Sequence, residues 1–201
     1  MKQTLALLLA AALCLAMSAC AAPAAETPAA PEAPSSADAP ADPLEPVTVS
    51  TYDGSGNPVE VTYDTVPQRV VAVYQGCIET MIALGLEDHV IACYGLDNEV
   101  KEEWKDGLAQ MNYQETPFAP DKETAALLEP DLIFSWGSLF GEKTLGDVSG
   151  WLEKGTGVFL NTNTCPGTSR TLENEYADLL SIGRIFRVED RAQALVDEMK
   201  A

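Results

Sequence analysis

Histidine is almost missing from this 201-residue chain: His89 is the only one. A Ser–His or Cys–His nucleophile pair would have to use it, and zinc or manganese sites that draw on several histidines have a poor start. His89 also falls at the beginning of an expected strand rather than its functional end, which suits a structural role. Basic residues are scarce too, 12 Lys and Arg against 31 Asp and Glu, for a formal net charge of −19. Phosphate backbones need a basic surface, so this balance argues against nucleic acid and fits an acidity that keeps an exported chain soluble. No glycine-rich phosphate loop follows the first buried strand, where Tyr74, Gln75, Gly76 and Cys77 lack the GxGxxG spacing. An enzyme is therefore not expected.

The apolar run from Leu5 to Met17 is too short and wrongly flanked for a spanning helix. With Lys2 before it and Met17-Ser18-Ala19-Cys20 after it, residues 1–19 read as a secretory signal. The small residues before Cys20 resemble the lipobox of bacterial lipoproteins, which implies cleavage there and a lipid on Cys20. Met17 departs from the Leu usual at its position. After Cys20, residues 21–46 are Ala, Pro and acid with no Lys or Arg; such a segment cannot bury enough apolar surface to fold, and its prolines hold it extended, so 20–46 read as the lipidated cysteine and a disordered linker. A lipid-anchored tether on the outer face of the cell membrane is the expectation. Cys77, Cys93 and Cys165 are then an odd number of cysteines with no metal or redox spacing, and Cys77 and Cys93 are expected to be small buried hydrophobes.

The folded part spans 47–201. Val47–Thr51 and Val59–Tyr63 alternate as strands around the turn Asp53–Asn57, a hairpin signal. The stretch Pro67–Gly95 organises the remainder of the chain. Val70, Val71 and Val73 read as a buried strand; Ile78, Met81 and Ile82 form a helical stripe ending near Gly85; Val90, Ile91 and Ala92 make a second strand. That βαβ unit implies parallel strands, with ligands gathering at the loops after the strands, around Tyr74–Cys77 and Cys93–Gly95. A surface helix is expected over Asn98–Leu108 and another from an Asp121 cap to Leu128. A third strand at Asp131–Phe134 leads into Ser135, Trp136, Gly137 and Ser138. A helix from about Glu142 to Lys154 comes next, then a fourth strand at Val158–Leu160. Leu172, Tyr176, Leu179 and Leu180 share one helical face, and Ala192, Leu195, Val196 and Met199 repeat it. This pattern is still running at Ala201, so an incomplete sequence is expected.

Three stretches carry a resemblance to the periplasmic-binding-protein family that serves ABC importers of iron–siderophore complexes, haem and cobalamin. They are Pro67-Gln68-Arg69-Val70-Val71 with Glu79 and Ala83-Leu84-Gly85-Leu86, then Leu128-Glu129-Pro130-Asp131-Leu132-Ile133, then Tyr176 to Met199. The resemblance implies an α/β, Rossmann-like lobe, a parallel sheet flanked by helices, preceded by the hairpin and followed by the start of a long inter-lobe helix. The resemblance also implies that this chain carries only the first of the family's two lobes. It implies a substrate-binding lipoprotein with no cofactor of its own, monomeric, that takes a ferric siderophore-type complex, haem or cobalamin to a membrane permease. Glu79, by its residues alone a solvated carboxylate beside the apolar stripe, matches the acidic position that docks onto the permease.

For the ligand, the strand-end loops offer Tyr74, Tyr94, Trp136 and Arg170. A large, partly aromatic ligand needs broad flat side chains on the cleft wall, and an anionic ferric complex would want a guanidinium. Trp136 is expected in the cleft, whereas Trp104 and Trp151 fall on helix patterns and are expected at the surface or in the core. Tyr74 or Tyr94 could also reach a haem iron.

Overall fold

The computed structural model describes residues 45–201; the expected signal segment, Cys20 and the linker as far as residue 44 lie outside them. Five parallel strands form one sheet: β3 (Val70–Val73), β4 (Val90–Tyr94), β5 (Tyr113–Gln114), β6 (Leu132–Trp136) and β7 (Gly157–Asn161). They lie in the order β5-β4-β3-β6-β7. The chain therefore enters at the centre, winds to one edge, returns and winds to the other. Val70–Val73 is fully buried because helices cover both faces, which is why it reads as an unbroken apolar run rather than an alternating one.

Helix α1 (Gln75–Ala83) follows β3 and packs Cys77, Ile78, Met81 and Ile82 against one face. Nine residues are too few for a stable isolated helix; burial of Ile78 and Met81, at about 1.5–3 kcal/mol each, holds it in place. Helix α2 (Lys105–Gln110) leads into β5, and a 3₁₀ turn at Glu102–Trp104 precedes it. The helix expected over Asn98–Leu108 is thus shorter and later. Helix α3 (Lys122–Leu127) starts at Asp121, whose side chain accepts from Thr124 N–H at 2.7 Å.

After β6 the helix expected from Glu142 contracts to α4 (Val148–Leu152). Gly141 and Gly146 break the earlier part, where Thr144 caps a tight turn through the Leu139 carbonyl and Gly146 takes φ +73°. Helix α4 packs Val148 and fully buried Trp151 on the opposite face of the sheet from α1. The C-terminal helix forms as α5 (Leu172–Phe186) and α6 (Glu189–Lys200), broken where Arg187 turns left-handed.

The hairpin β1 (Val47–Tyr52) and β2 (Pro58–Tyr63) pairs in antiparallel register from Val47↔Tyr63 to Tyr52↔Pro58. It lies against the β7 side: Thr51 Oγ1 accepts from Leu160 N–H at 2.9 Å, and Arg184 of α5 donates to the Thr48 carbonyl at 2.9 Å. Cys77, Cys93 and Cys165 are free and buried. His89 sits at 2.7 Å from the Pro67 carbonyl through Nδ1 and edge-on to Phe186, a packing role. Among the described residues no helix is long and apolar enough to cross a membrane.

Candidate functional site

Val73 of β3 pairs in register with Tyr94 of β4 and Ser135 of β6. The residues that step off the sheet together are therefore Tyr74, Gly95 and Trp136. Because β3 continues to α1 on one face and β6 towards α4 on the other, a crevice opens between their C-terminal ends. This is the switch point where open α/β sheets bind ligands.

Aromatic rings fill its mouth. Tyr74 stacks on Trp136 with centroids 3.6 Å apart and planes at 25°, and Phe118 meets Tyr74 edge-on at 5.5 Å. The Tyr74 backbone stands at φ 85°, ψ 151°, a region open almost only to glycine and costing about 1–3 kcal/mol for other residues. Two contacts offset that strain: the stack, about 0.5–1.5 kcal/mol, and a hydrogen bond from the Tyr74 hydroxyl to the Asp97 carboxylate. The same hydrogen bond raises the phenol's pKa, with smaller contributions from burial and the Asp97 charge.

Polar groups tie the rim together. Gln75 Oε1 accepts from the N–H groups of Asp97 and Asn98 at 3.2 and 2.9 Å, while its Nε2 donates to Glu79 at 2.8 Å. Gly95 is held at φ +84°, and a Cβ there would lie 2.9 Å from the Phe118 carbonyl; only glycine lets the Phe118 segment close over the crevice.

Tyr74 and Trp136 thus meet, as strand-end positions suggested. Tyr94 does not join them. It shares strand parity with Ala92 and is packed, 4% exposed, in the apolar cluster beneath the loops; burial, then the neighbouring Cys93, raises its pKa. Arg170 is exposed on the segment after β7, whose preceding residues Pro166–Ser169 line a shallow pocket with Tyr52 and Gly56 of the hairpin. Glu79 is half-buried and lines a groove of about 450 Å³ with Lys101, Trp104, Glu175, Leu195 and Glu198. Trp151 is core, its Nε1 donating to the Leu145 carbonyl at 2.6 Å, and Trp104 is a groove wall.

Sequence reasoning missed Gln75, Asp97, Asn98 and Phe118. Gln75 lies within the strand-end stretch Tyr74–Cys77 already singled out and was legible by position; Asp97 and Asn98 lie beyond Gly95, Phe118 comes from a loop far along the chain, and these three were not. No group of three or more His, Cys, Asp or Glu able to hold a metal ion occurs among the described residues.

A second polar cluster lies beside the first. Asp178 of α5 accepts from Thr162 N–H and Thr162 Oγ1, both at 2.7 Å, and from Asn161 Nδ2 at 3.2 Å. Burial pushes its carboxyl up to about 7; the Thr162 hydrogen bonds oppose the shift and Glu175 adds to it.

This fold is an α/β lobe of the kind found in extracytoplasmic solute-binding proteins. No family model matches the sequence, and no curated protein matches it. Solved structures do. A periplasmic binding protein from Veillonella parvula is 32% identical over 79% of this chain and 51% of its own, with a TM-score of 0.73. An ABC-type Fe3+-hydroxamate transport system protein from Saccharomonospora viridis is 24% identical over 77% of this chain and 53% of its own, at TM-score 0.61. The siderophore binding protein BauB, solved with two molecules of acinetobactin and ferric iron, is 22% identical over 78% of this chain and 51% of its own, at TM-score 0.58. The last two establish the fold alone. The likeness to a periplasmic binding protein is thereby shown, for a chain that spans about half the length of the structures it matches.

Proposed function

We propose that this chain is the first lobe of a substrate-binding lipoprotein of an ABC importer, which captures a ferric siderophore-type chelate and passes it to a membrane permease. The observation that carries the reading is the strained Tyr74, stacked on Trp136 at the switch point. Backbone strain kept at a crevice mouth, and supported by a second aromatic, belongs to a binding surface rather than to the core. Binding rather than catalysis also agrees with the likeness to the Veillonella periplasmic binding protein. The lipid on Cys20 and the extended linker would hold the lobe at the outer face of the membrane, and the acidic groove with Glu79, Glu175 and Glu198 would meet basic residues of the permease.

Haem and cobalamin are the alternatives within the same fold. An iron-binding phenolate is disfavoured by this geometry: Tyr74 keeps its proton on Asp97, and Tyr94 is packed in the core. The test is tryptophan-fluorescence titration of the chain with a ferric hydroxamate, a ferric catecholate, haemin and a corrinoid, with Trp136→Phe as control. Quenching by a ferric chelate that Trp136→Phe removes supports the proposal. Quenching by haemin or corrinoid alone replaces it with that alternative, and binding of none removes it.

A further inference from the structure

Among the described residues, no cation lines the crevice mouth. Tyr74, Gln75, Asn98, Phe118 and Trp136 are neutral, and the charged side chains joined to them are two carboxylates, Asp97 on the Tyr74 hydroxyl and Glu79 on Gln75 Nε2. Lys101 lies over the Trp104 ring at 4.3 Å, in the adjoining groove that Gly76 and Glu79 also line. The N-terminus of α1 opens at the same place with about half a positive charge, which a full carboxylate outweighs. At longer range the whole chain, at −19, attracts cations to its clefts and repels anions.

From these facts we infer that the crevice selects chelates by charge, taking a neutral or cationic complex over an anionic one, with Tyr74 and Trp136 as the stacking surface and Asp97 as the selecting group. The inference rests on the chelate-binding reading. Its physics is simple. Aromatic faces are electron-rich and attract a cation set against them, and an ammonium can take the lone pairs of Asp97 that Tyr74 leaves free. An anionic complex meets a like charge at the exposed Asp97 carboxylate, where the repulsion is modest and screened by salt.

One ferric trihydroxamate scaffold, made in three forms, isolates the variable: a free terminal ammonium, the same amine acetylated, and the same amine succinylated. Affinities of the chain for the three are measured by calorimetry at low and physiological salt. The expected order is ammonium, acetyl, succinyl, spread on the order of tenfold end to end at low salt and narrowing as salt rises. Asp97→Asn is expected to compress that spread. The reverse order, or a spread that Asp97→Asn leaves unchanged, overturns charge selection by Asp97 while chelate binding stands. Equal affinities for the three do the same. Binding of none of the three removes the chelate reading and this inference with it.

Discussion

The carboxylate of Asp131 accepts hydrogen bonds from the backbone N–H groups of both Gln68 and Arg69, at 2.6 and 2.8 Å. The Arg69 guanidinium returns to the Glu129 and Leu128 carbonyls at 2.9 and 2.6 Å. Two of the stretches that carried the family resemblance, Pro67–Val71 and Leu128–Ile133, are therefore one reciprocal clasp at the N-terminal ends of β3 and β6. It sets those strands side by side, and the crevice opens at their other ends.

Breaking the clasp is expected to cost stability without touching the crevice. Asp131→Ala leaves two exposed N–H groups to water and should destabilise by about 0.5–1.5 kcal/mol per bond lost; Asp131→Asn keeps one acceptor and should lose less. Urea unfolding measures both, and equal midpoints for the two variants and the parent chain would show that the clasp contributes nothing.

Tyr74 makes a sharper prediction, because strain and contact pull in opposite directions there. Tyr74→Gly loses the stack and the Asp97 hydrogen bond but also loses the strain. Tyr74→Ala loses the same contacts and keeps the strain, so it should be less stable than the glycine variant by about 1–3 kcal/mol. Both should lose chelate binding. Stability measured beside binding separates the two effects, and an alanine variant as stable as the glycine one would contradict the strain.

Which parts of the fold were legible from residues alone depends on which forces are local. The strand β3 showed itself because burial on both faces leaves four apolar residues in a row, and α3 because Asp121 caps it. Trp136 was legible as a strand-end aromatic: it closes β6 and stacks on Tyr74. Tyr94 looked equivalent, but strand parity with Ala92 turns it into the core, and parity is easily misjudged at a strand's last residue. The Tyr74–Asp97 pair and the backbone conformation of Tyr74 depend on where β4 ends in space, which no periodicity reports. The early part of the helix expected from Glu142 failed because Gly141 and Gly146 break it, a local signal that the apolar spacing outweighed.

Asp178 gives a pH dependence of definite sign. Its carboxyl holds a proton in the folded chain up to about 7, whereas in the unfolded chain it ionises near the ordinary value of about 3.9. Between those values the folded state binds more protons, so its contribution to stability is complete below about 4 and is lost as pH rises towards 7, by up to about 1.4 kcal/mol per unit. Asp178→Asn should flatten this slope in urea midpoints taken across that range. A slope unchanged by the substitution would place the effect on other groups.

Gly183 lies where α5 meets α6, and a Cβ there would stand 2.5 Å from the Ala192 Cβ. In an isolated helix Gly→Ala gains about 1 kcal/mol; here overpacking, typically about 1–3 kcal/mol, is expected to win. Gly183→Ala should therefore lower the thermal midpoint. A raised midpoint would mean that the two helices part easily at this contact.

Glu79 tests the docking proposal. Glu79→Arg should reduce importer-dependent uptake of a ferric chelate in cells, while Glu79→Gln, which can still bond Gln75, separates loss of charge from disturbance of the crevice. Chelate affinity of each purified variant is compared with the parent. Undiminished uptake by the arginine variant would take Glu79 out of the docking role.

The hairpin at the β7 side has a consequence beyond packing. A parallel sheet with bare margins is a template on which stray extended chains can add themselves, the first step towards fibrils. Here one margin is shielded by β1 and β2, and the other ends in β5, only two residues long, too short to seed a new partner. The lobe can therefore be crowded against copies of itself without offering them a place to grow.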